Sequence, residues 1–272
     1  MYRSCPRGCR HSNETKGLIV LNALRLSFGT FTGIRVKAPV LVNRDLMGKA
    51  LTLSFLPALL VSGGAWSAGY LAFRSTQSSL VAAVIVVGVE IMLTAGLHID
   101  GLLDSADGMA AFSKSGRERA LEIMKVGNSG PSAFATGFIT LFLQVAALSM
   151  AIANGLSVNW IICGLMARLV VVLSCRVGAK PARPDGLGNP FIGSIGLLSL
   201  IGSVASYLVI IFILGVGQQY SRIVVAVLVS LIYGEVLKRV AEKRFGGLTG
   251  DFLGSFLEKT RTISLLILIL SV

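Results

Sequence analysis

The sequence predicts an all-α fold: a polytopic integral membrane helix bundle of about six full transmembrane helices, a shorter C-terminal helix and an interfacial N-terminal segment. Three observations predict it. Of 272 residues, 54% belong to the hydrophobic set and 14% are charged, where soluble chains carry about 25% charged residues. Six apolar runs approach the ~20 residues that a helix needs to cross a bilayer. Lys and Arg are confined almost entirely to alternate connections between those runs. So much apolar surface excludes a soluble globule of this size, and the low charge excludes a disordered chain.

In chain order, Met1–Lys16 reads as an N-terminal extension that is expected to be disordered. Its Cys5, Cys9 and His11 lack the fourth ligand of a zinc site, so scattered thiols are the better reading. Cys163 and Cys175 fall inside apolar runs, which leaves no disulfide framework. The run from Gly17 to Ile34 is interrupted by Arg25 and lacks a small-residue cleavage pattern, so it is no cleavable signal peptide. The six runs are then Leu51–Phe73, Ser79–Leu97, Ala133–Ala153, Val158–Gly178, Gly196–Gly217 and Ile223–Leu237. Backbone polar groups in lipid must be satisfied internally, and runs this long and continuous do so as helices rather than barrel strands. The last apolar stretch, Ile263–Val272, is too short to span alone; it either extends a helix starting near Asp251 or lies in the interface. Residues 17–272 thus form one membrane-embedded domain with three long loops, 98–132, 176–196 and 238–261.

The net charge of +12 is a topology signal rather than a nucleic-acid footprint, and no nucleic-acid partner is expected. The N-terminal segment and the three long connections hold 22 of the 25 Lys and Arg, the other connections two, and Arg168 lies within a run. The positive-inside rule then places both termini and the three loops in the cytoplasm. Nine of the 13 Asp and Glu lie in the same loops, so one site can draw on all three. Glu90 and Glu235 lie within or at the end of runs, where an ionised group is costly unless paired, and packing or pairing is the expected role of both.

The strongest chemical signal is the stretch Gly96–Gly108, in which Asp100, Asp104 and Asp107 follow an i, i+4, i+7 pattern. That spacing stacks three carboxylates on one helical face. Like charges so placed repel unless a cation lies between them, and hard oxygen ligands suit Mg²⁺ or Mn²⁺ shared with phosphates. The competing reading is a solvated acidic face. His98 is a candidate ligand, proton carrier or supporting hydrogen-bond partner. A second feature is Gly246–Gly254, whose Gly247 and Gly250 would let backbone N–H groups turn toward a phosphate, with Asp251 at a helix start as cap or further ligand. Tight helix packing uses such glycines equally. The third loop brings Lys180, Arg183 and Asp185, and Arg matches phosphate oxygens well. Together these features imply divalent-metal chemistry on a phosphate-bearing substrate. A transporter is the competing class, but its acids would lie at the bilayer midplane rather than at one face.

The stretch Gly96–Gly108, Leu121–Lys125, the loop Ala182–Gly188 and Gly246–Asp251, in this order and spacing, resemble the cobalamin synthase family, also called adenosylcobinamide-GDP ribazoletransferase. The similarity runs from about Leu18 to the C-terminus. The resemblance implies a multi-pass enzyme of the cell (inner) membrane that uses Mg²⁺ and acts in final-stage cobalamin biosynthesis. Its partners would be the lipid bilayer, adenosylcobinamide-GDP and α-ribazole or its 5′-phosphate, giving adenosylcobalamin or its 5′-phosphate and GMP; a homo-oligomer is left open. Two departures stand out: Val126-Gly127 occupy a place where the family usually has Asp-Ser, and Arg261 one where an acid is common. The expected mechanism is in-line attack on a pyrophosphate, with Mg²⁺ on Asp100, Asp104 and Asp107, and His98 or a free carboxylate taking the proton. Lys125, Arg183 and the backbone near Gly250 are the candidates for holding phosphates. The runner-up enzyme is a CDP-alcohol phosphotransferase-like membrane protein, whose signature has Ala-Arg after its first Asp-Gly; here Leu102-Leu103 follow Asp100-Gly101.

Overall fold

Apolar runs bounded by glycines, serines and charges form ten helices in the computed structural model, with no strand beyond two isolated bridges among the described residues. They are α1 (Lys16–Phe31), α2 (Arg44–Thr52), α3 (Phe55–Thr76), α4 (Ser79–Leu93), α5 (Leu97–Val126), α6 (Pro131–Ala153), α7 (Asn159–Ser174), α8 (Leu197–Leu214), α9 (Tyr220–Phe245) and α10 (Gly250–Ile269). The structure describes residues 16–37, 42–186, 188–218 and 220–270. The N-terminal extension with Cys5, Cys9 and His11 lies outside the described residues up to position 15, as do the last two residues of the apolar C-terminal stretch.

This is a helical membrane protein, but the six apolar runs do not become six equal spanning helices. By length and composition α3, α6 and α8 can cross a membrane, and α4 with α5 adds a fourth candidate if the bent pair is one span. The run from Leu51 divides between α2 and α3, where the Ser54 hydroxyl turns back to the Leu51 carbonyl (2.6 Å). The run from Ser79 stops at Leu93, after which Ala95 and Gly96 take positive φ and break the helix. There the chain bends by 89°, so α5 leaves the direction of α4 and carries its acids out of the spanning segment. The run from Val158 gives only the 16 residues of α7, apolar on nearly every side and therefore buried on nearly every side. Glycine and hydroxyl residues dot α10, which extends the short C-terminal stretch back to Gly250 and packs between α5, α7 and α9.

The bundle interior is polar at chosen points, and nearly every charge there is matched. Glu90 of α4 accepts from Ser62 (3.3 Å) and Trp160 and pairs with Arg261 of α10. The Arg261 guanidinium also lies 4.7 Å from the Trp160 ring centre. Gln144 of α6 donates to Glu258 (2.9 Å) and Thr262 (3.1 Å). Such groups remain in an apolar interior only when partnered, which gives Arg261, one of the two departures from the family pattern, a role as the counter-ion of Glu90. Glu235 pairs with Arg176 (3.1 Å) and Arg239 (3.0 Å), so both run-embedded acids are paired.

The three long loops converge. Two backbone bonds at Leu248 join two of the loops: Ala182 N–H donates to the Leu248 carbonyl (2.8 Å), and Leu248 N–H to that of Lys180 (2.9 Å). Arg117 of α5 ties in the third by donating to the Ala182 carbonyl (3.0 Å).

Candidate active site

The site forms where α5 crosses the start of α10. Two glycines permit that crossing: a Cβ on Gly101 would lie 2.8 Å from the Asp251 carbonyl oxygen, and one on Gly254 3.2 Å from that of His98. Backbone on backbone at this point places the α5 carboxylates beside Asp251 in the first turn of α10. Thr249 caps that helix, its hydroxyl accepting from Phe252 N–H (3.2 Å), so the positive end of α10 faces the same place.

The three aspartates of α5 differ in surroundings. Asp100 is exposed and lines a cleft with Asp251, His98, Gly188 and Gly250. Asp104 is buried, yet among the described residues neither it nor Asp100 has a hydrogen-bond donor. Burial, and then the neighbouring carboxylates of Asp100, Asp251 and Asp107, raise its pKa to about 6. Burial also raises that of Asp251, although Arg183 opposes this from 3.3 Å. Asp107 has a different partner: its carboxylate accepts from the N–H of Gly130 and from that of Ala133 (2.9 Å), and so caps α6. An anion at a helix N-terminus is stabilised there by the unpaired amides. Asp107 thus holds the loop end rather than standing free with the other two.

The remaining candidates divide similarly. His98 is buried, and its Nε2 faces the Arg168 guanidinium at 3.5 Å, which makes that nitrogen an acceptor. Arg183 reaches Asp251 (3.3 Å) and the Leu121 carbonyl (3.3 Å). Lys125 and Asp185 form an exposed ion pair at the rim. At Gly247 a Cβ would lie 2.4 Å from the Lys180 carbonyl oxygen, so its lack of a side chain serves loop-on-loop packing. Gly250 does line the cleft, and its Cβ would make only ordinary contact with Gly188 at 3.4 Å, whereas a Cβ on Gly188 would meet Gly250 Cα at 2.6 Å. Gly188→Ala is therefore expected to cost activity and about 1–3 kcal/mol of stability through overpacking, and Gly250→Ala much less. Thermal unfolding of the two variants side by side checks the order.

Among the described residues no three His, Cys, Asp or Glu side chains converge closely enough to hold a metal alone. Mg²⁺ does not require that, since it keeps several waters and takes one or two carboxylates plus substrate phosphates. The donor-free carboxylates of Asp100 and Asp104, next to an Arg and a helix N-terminus, fit such a shared ion. Sequence reasoning missed Gly101 and Gly254, whose signal was the small-residue spacing Gly250-x-x-x-Gly254. It also counted Arg168 only as a charge inside a run.

The cleft of Asp100 and Asp251 has a volume of about 170 Å³. A second, more open cleft of about 560 Å³ lies between the end of α1 and the α4–α5 bend, and the two share Thr30, Leu97 and Asp100.

The profile of the family described as Cobalamin-5-phosphate synthase matches residues 23–269 of the chain. A protein of Frankia casuarinae named adenosylcobinamide-GDP ribazoletransferase is 33% identical over 91% of this chain and 94% of its own. Proteins of the same name from Nocardioides sp. and Clostridium tetani are 31% and 29% identical, covering 90% and 88% of this chain and 97% and 92% of theirs. No solved structure matches the chain.

Proposed function

The chain belongs to the cobalamin-5-phosphate synthase family, and on that premise we propose that it is the enzyme of final-stage cobalamin synthesis that joins adenosylcobinamide-GDP to α-ribazole or its 5′-phosphate. A ribazole hydroxyl oxygen bonds to the phosphorus nearer the cobinamide, the bond from that phosphorus to the GMP oxygen breaks, and the hydroxyl proton passes to the enzyme. The products are adenosylcobalamin or its 5′-phosphate and GMP. The observation that carries this reading is the juxtaposition of two donor-free carboxylates, Asp100 and Asp104, with Arg183 and the N-terminus of α10.

Each residue has a part in that step. Asp100 and Asp104 would hold Mg²⁺, which when bound neutralises charge on pyrophosphate oxygens. Arg183 and the first-turn amides of α10 orient those oxygens. Asp251 has one oxygen on Arg183 and a carboxyl whose proton affinity burial raises, so it is the group we assign to receive the hydroxyl proton. His98 is assigned no proton, because its Nε2 is turned to Arg168. Asp107, as the cap of α6, positions the 127–130 turn instead of binding the metal. Lys125 meets the substrate only by exchanging Asp185 for a phosphate.

In this reading the protein lies in the cell membrane with the three converging loops cytoplasmic, as the charge asymmetry requires. Cysteine labelling at the exposed positions Gly127, Gly186 and Lys243 is expected to report the same, inner side for all three. One external position would break the single-site account. The transfer itself is tested with membranes containing the protein, adenosylcobinamide-GDP, α-ribazole and Mg²⁺. GMP release that requires both substrates and ceases with a chelator supports it; release that ignores α-ribazole refutes it.

A further inference from the structure

We propose that the smaller cleft, of Asp100 and Asp251, is the subsite for the base of the acceptor nucleoside, an uncharged aromatic nitrogen heterocycle, and that Arg168 recognises the lone pair of its ring nitrogen. This rests on the transfer proposed above and assigns its two substrates to the two clefts. Arg168 borders the cleft from α7 and is 2% exposed. Its guanidinium carbon stands 4.5 Å from the Phe31 ring centre, and the one polar contact of its Nη2 is His98 Nε2 at 3.5 Å. Its Nε and Nη1 have no hydrogen-bond partner among the described residues. The other buried arginine of the interior, Arg261, has Glu90; no carboxylate among the described residues pairs with Arg168. A buried guanidinium with donors to spare calls for an acceptor that the chain itself does not supply.

The walls decide what kind of acceptor. Phe31 and Phe191, with ring centres 6.0 Å apart, face the cleft together with Val171, Leu253 and Leu257. Asp100 and Asp251 stand in the same cleft. A phosphate deep in the cleft would meet that apolar wall, whereas a flat uncharged ring buries its faces against the wall and turns one edge to the guanidinium. A volume of about 170 Å³ has room for one fused bicyclic ring but not for a corrin. The corrinoid half is too large for either cleft as a whole and would enter from the open one of about 560 Å³, which meets the first at Asp100. With the ring inside, the attached ribose reaches the carboxylates, where its hydroxyl is needed.

The test compares two acceptors of nearly the same shape, the α-ribosides of benzimidazole and of indole, the second having C–H in place of the acceptor nitrogen. GMP release by the full chain in membranes is the readout, with KM and kcat measured for each acceptor and for adenosylcobinamide-GDP. For the wild type, the indole riboside is expected to show a KM about ten- to a hundredfold higher, the range lost when a charged donor goes unpaired. Arg168→Met is expected to raise the benzimidazole riboside KM to the same level, to leave the indole riboside KM where it was, and to keep the corrinoid KM unchanged. Equal use of both acceptors by the wild type overturns the subsite without any variant. So does an Arg168→Met enzyme that keeps the preference, or one that weakens both acceptors and the corrinoid alike. Absence of GMP release by the wild type with either acceptor would instead refute the transfer, and the subsite with it.

Discussion

Asp104→Asn is expected to abolish transfer while the protein accumulates in the membrane at its usual level. Asp104 is buried without a donor and faces other carboxylates, so its charge is held there at a cost to folding. Its pKa is raised to about 6, above the range of an unfolded aspartate. The destabilisation therefore begins as pH rises past the ordinary carboxylate range and is complete above about pH 6. Asn carries no such penalty, so the variant should unfold at the same or a higher temperature near pH 7.5, and the two proteins should converge at about pH 4. Turnover should fall by about 10²–10³ or more, because a group aimed at developing phosphate charge is gone. Near wild-type GMP release at limiting Mg²⁺ would reduce Asp104 to a structural acid.

Arg261→Ala should act on the opposite property. It leaves Glu90 buried with Ser62 and Trp160 but no counter-ion. Breaking a buried pair from one side costs about 3–5 kcal/mol, while replacing both partners by uncharged groups of similar volume is close to neutral. The single variant should therefore lose most of its folded yield in detergent, and Arg261→Met combined with Glu90→Gln should recover most of it. Folded yield unchanged in the single variant would mean that Glu90 does not depend on Arg261.

Much of this was legible in the sequence, for reasons that differ by feature. The 22-to-2 division of Lys and Arg and the long apolar runs follow from the bilayer itself and needed no tertiary information. The Asp100, Asp104 and Asp107 spacing correctly placed three acids on one helix. It could not reveal that Asp107 faces the N-terminus of α6, because that partner, Gly130–Ala133, depends on how the chain returns after the turn. Gly247 and Gly250 look alike in sequence, yet one packs against Lys180 and the other lines the cleft. Span lengths failed for a related reason. A run such as Val158–Gly178 is apolar because it is surrounded by other helices, and hydropathy does not distinguish protein from lipid as its surroundings. Arg168 was visible only as a charge inside that run; that it borders a cleft depends on how the helices pack.

Reconstituted vesicles supplied with adenosylcobinamide-GDP and Mg²⁺ offer the most direct test, with GMP release and corrinoid uptake followed together, with and without α-ribazole. A transferase built on the Asp100, Asp104 and Asp251 cluster should release GMP only when α-ribazole is present, in step with formation of the joined corrinoid product, and Gly250→Val should suppress both by filling part of the cleft that Gly250 lines. Corrinoid uptake that proceeds without α-ribazole, releases no GMP and is indifferent to Gly250→Val would contradict the account and make the chain a transporter.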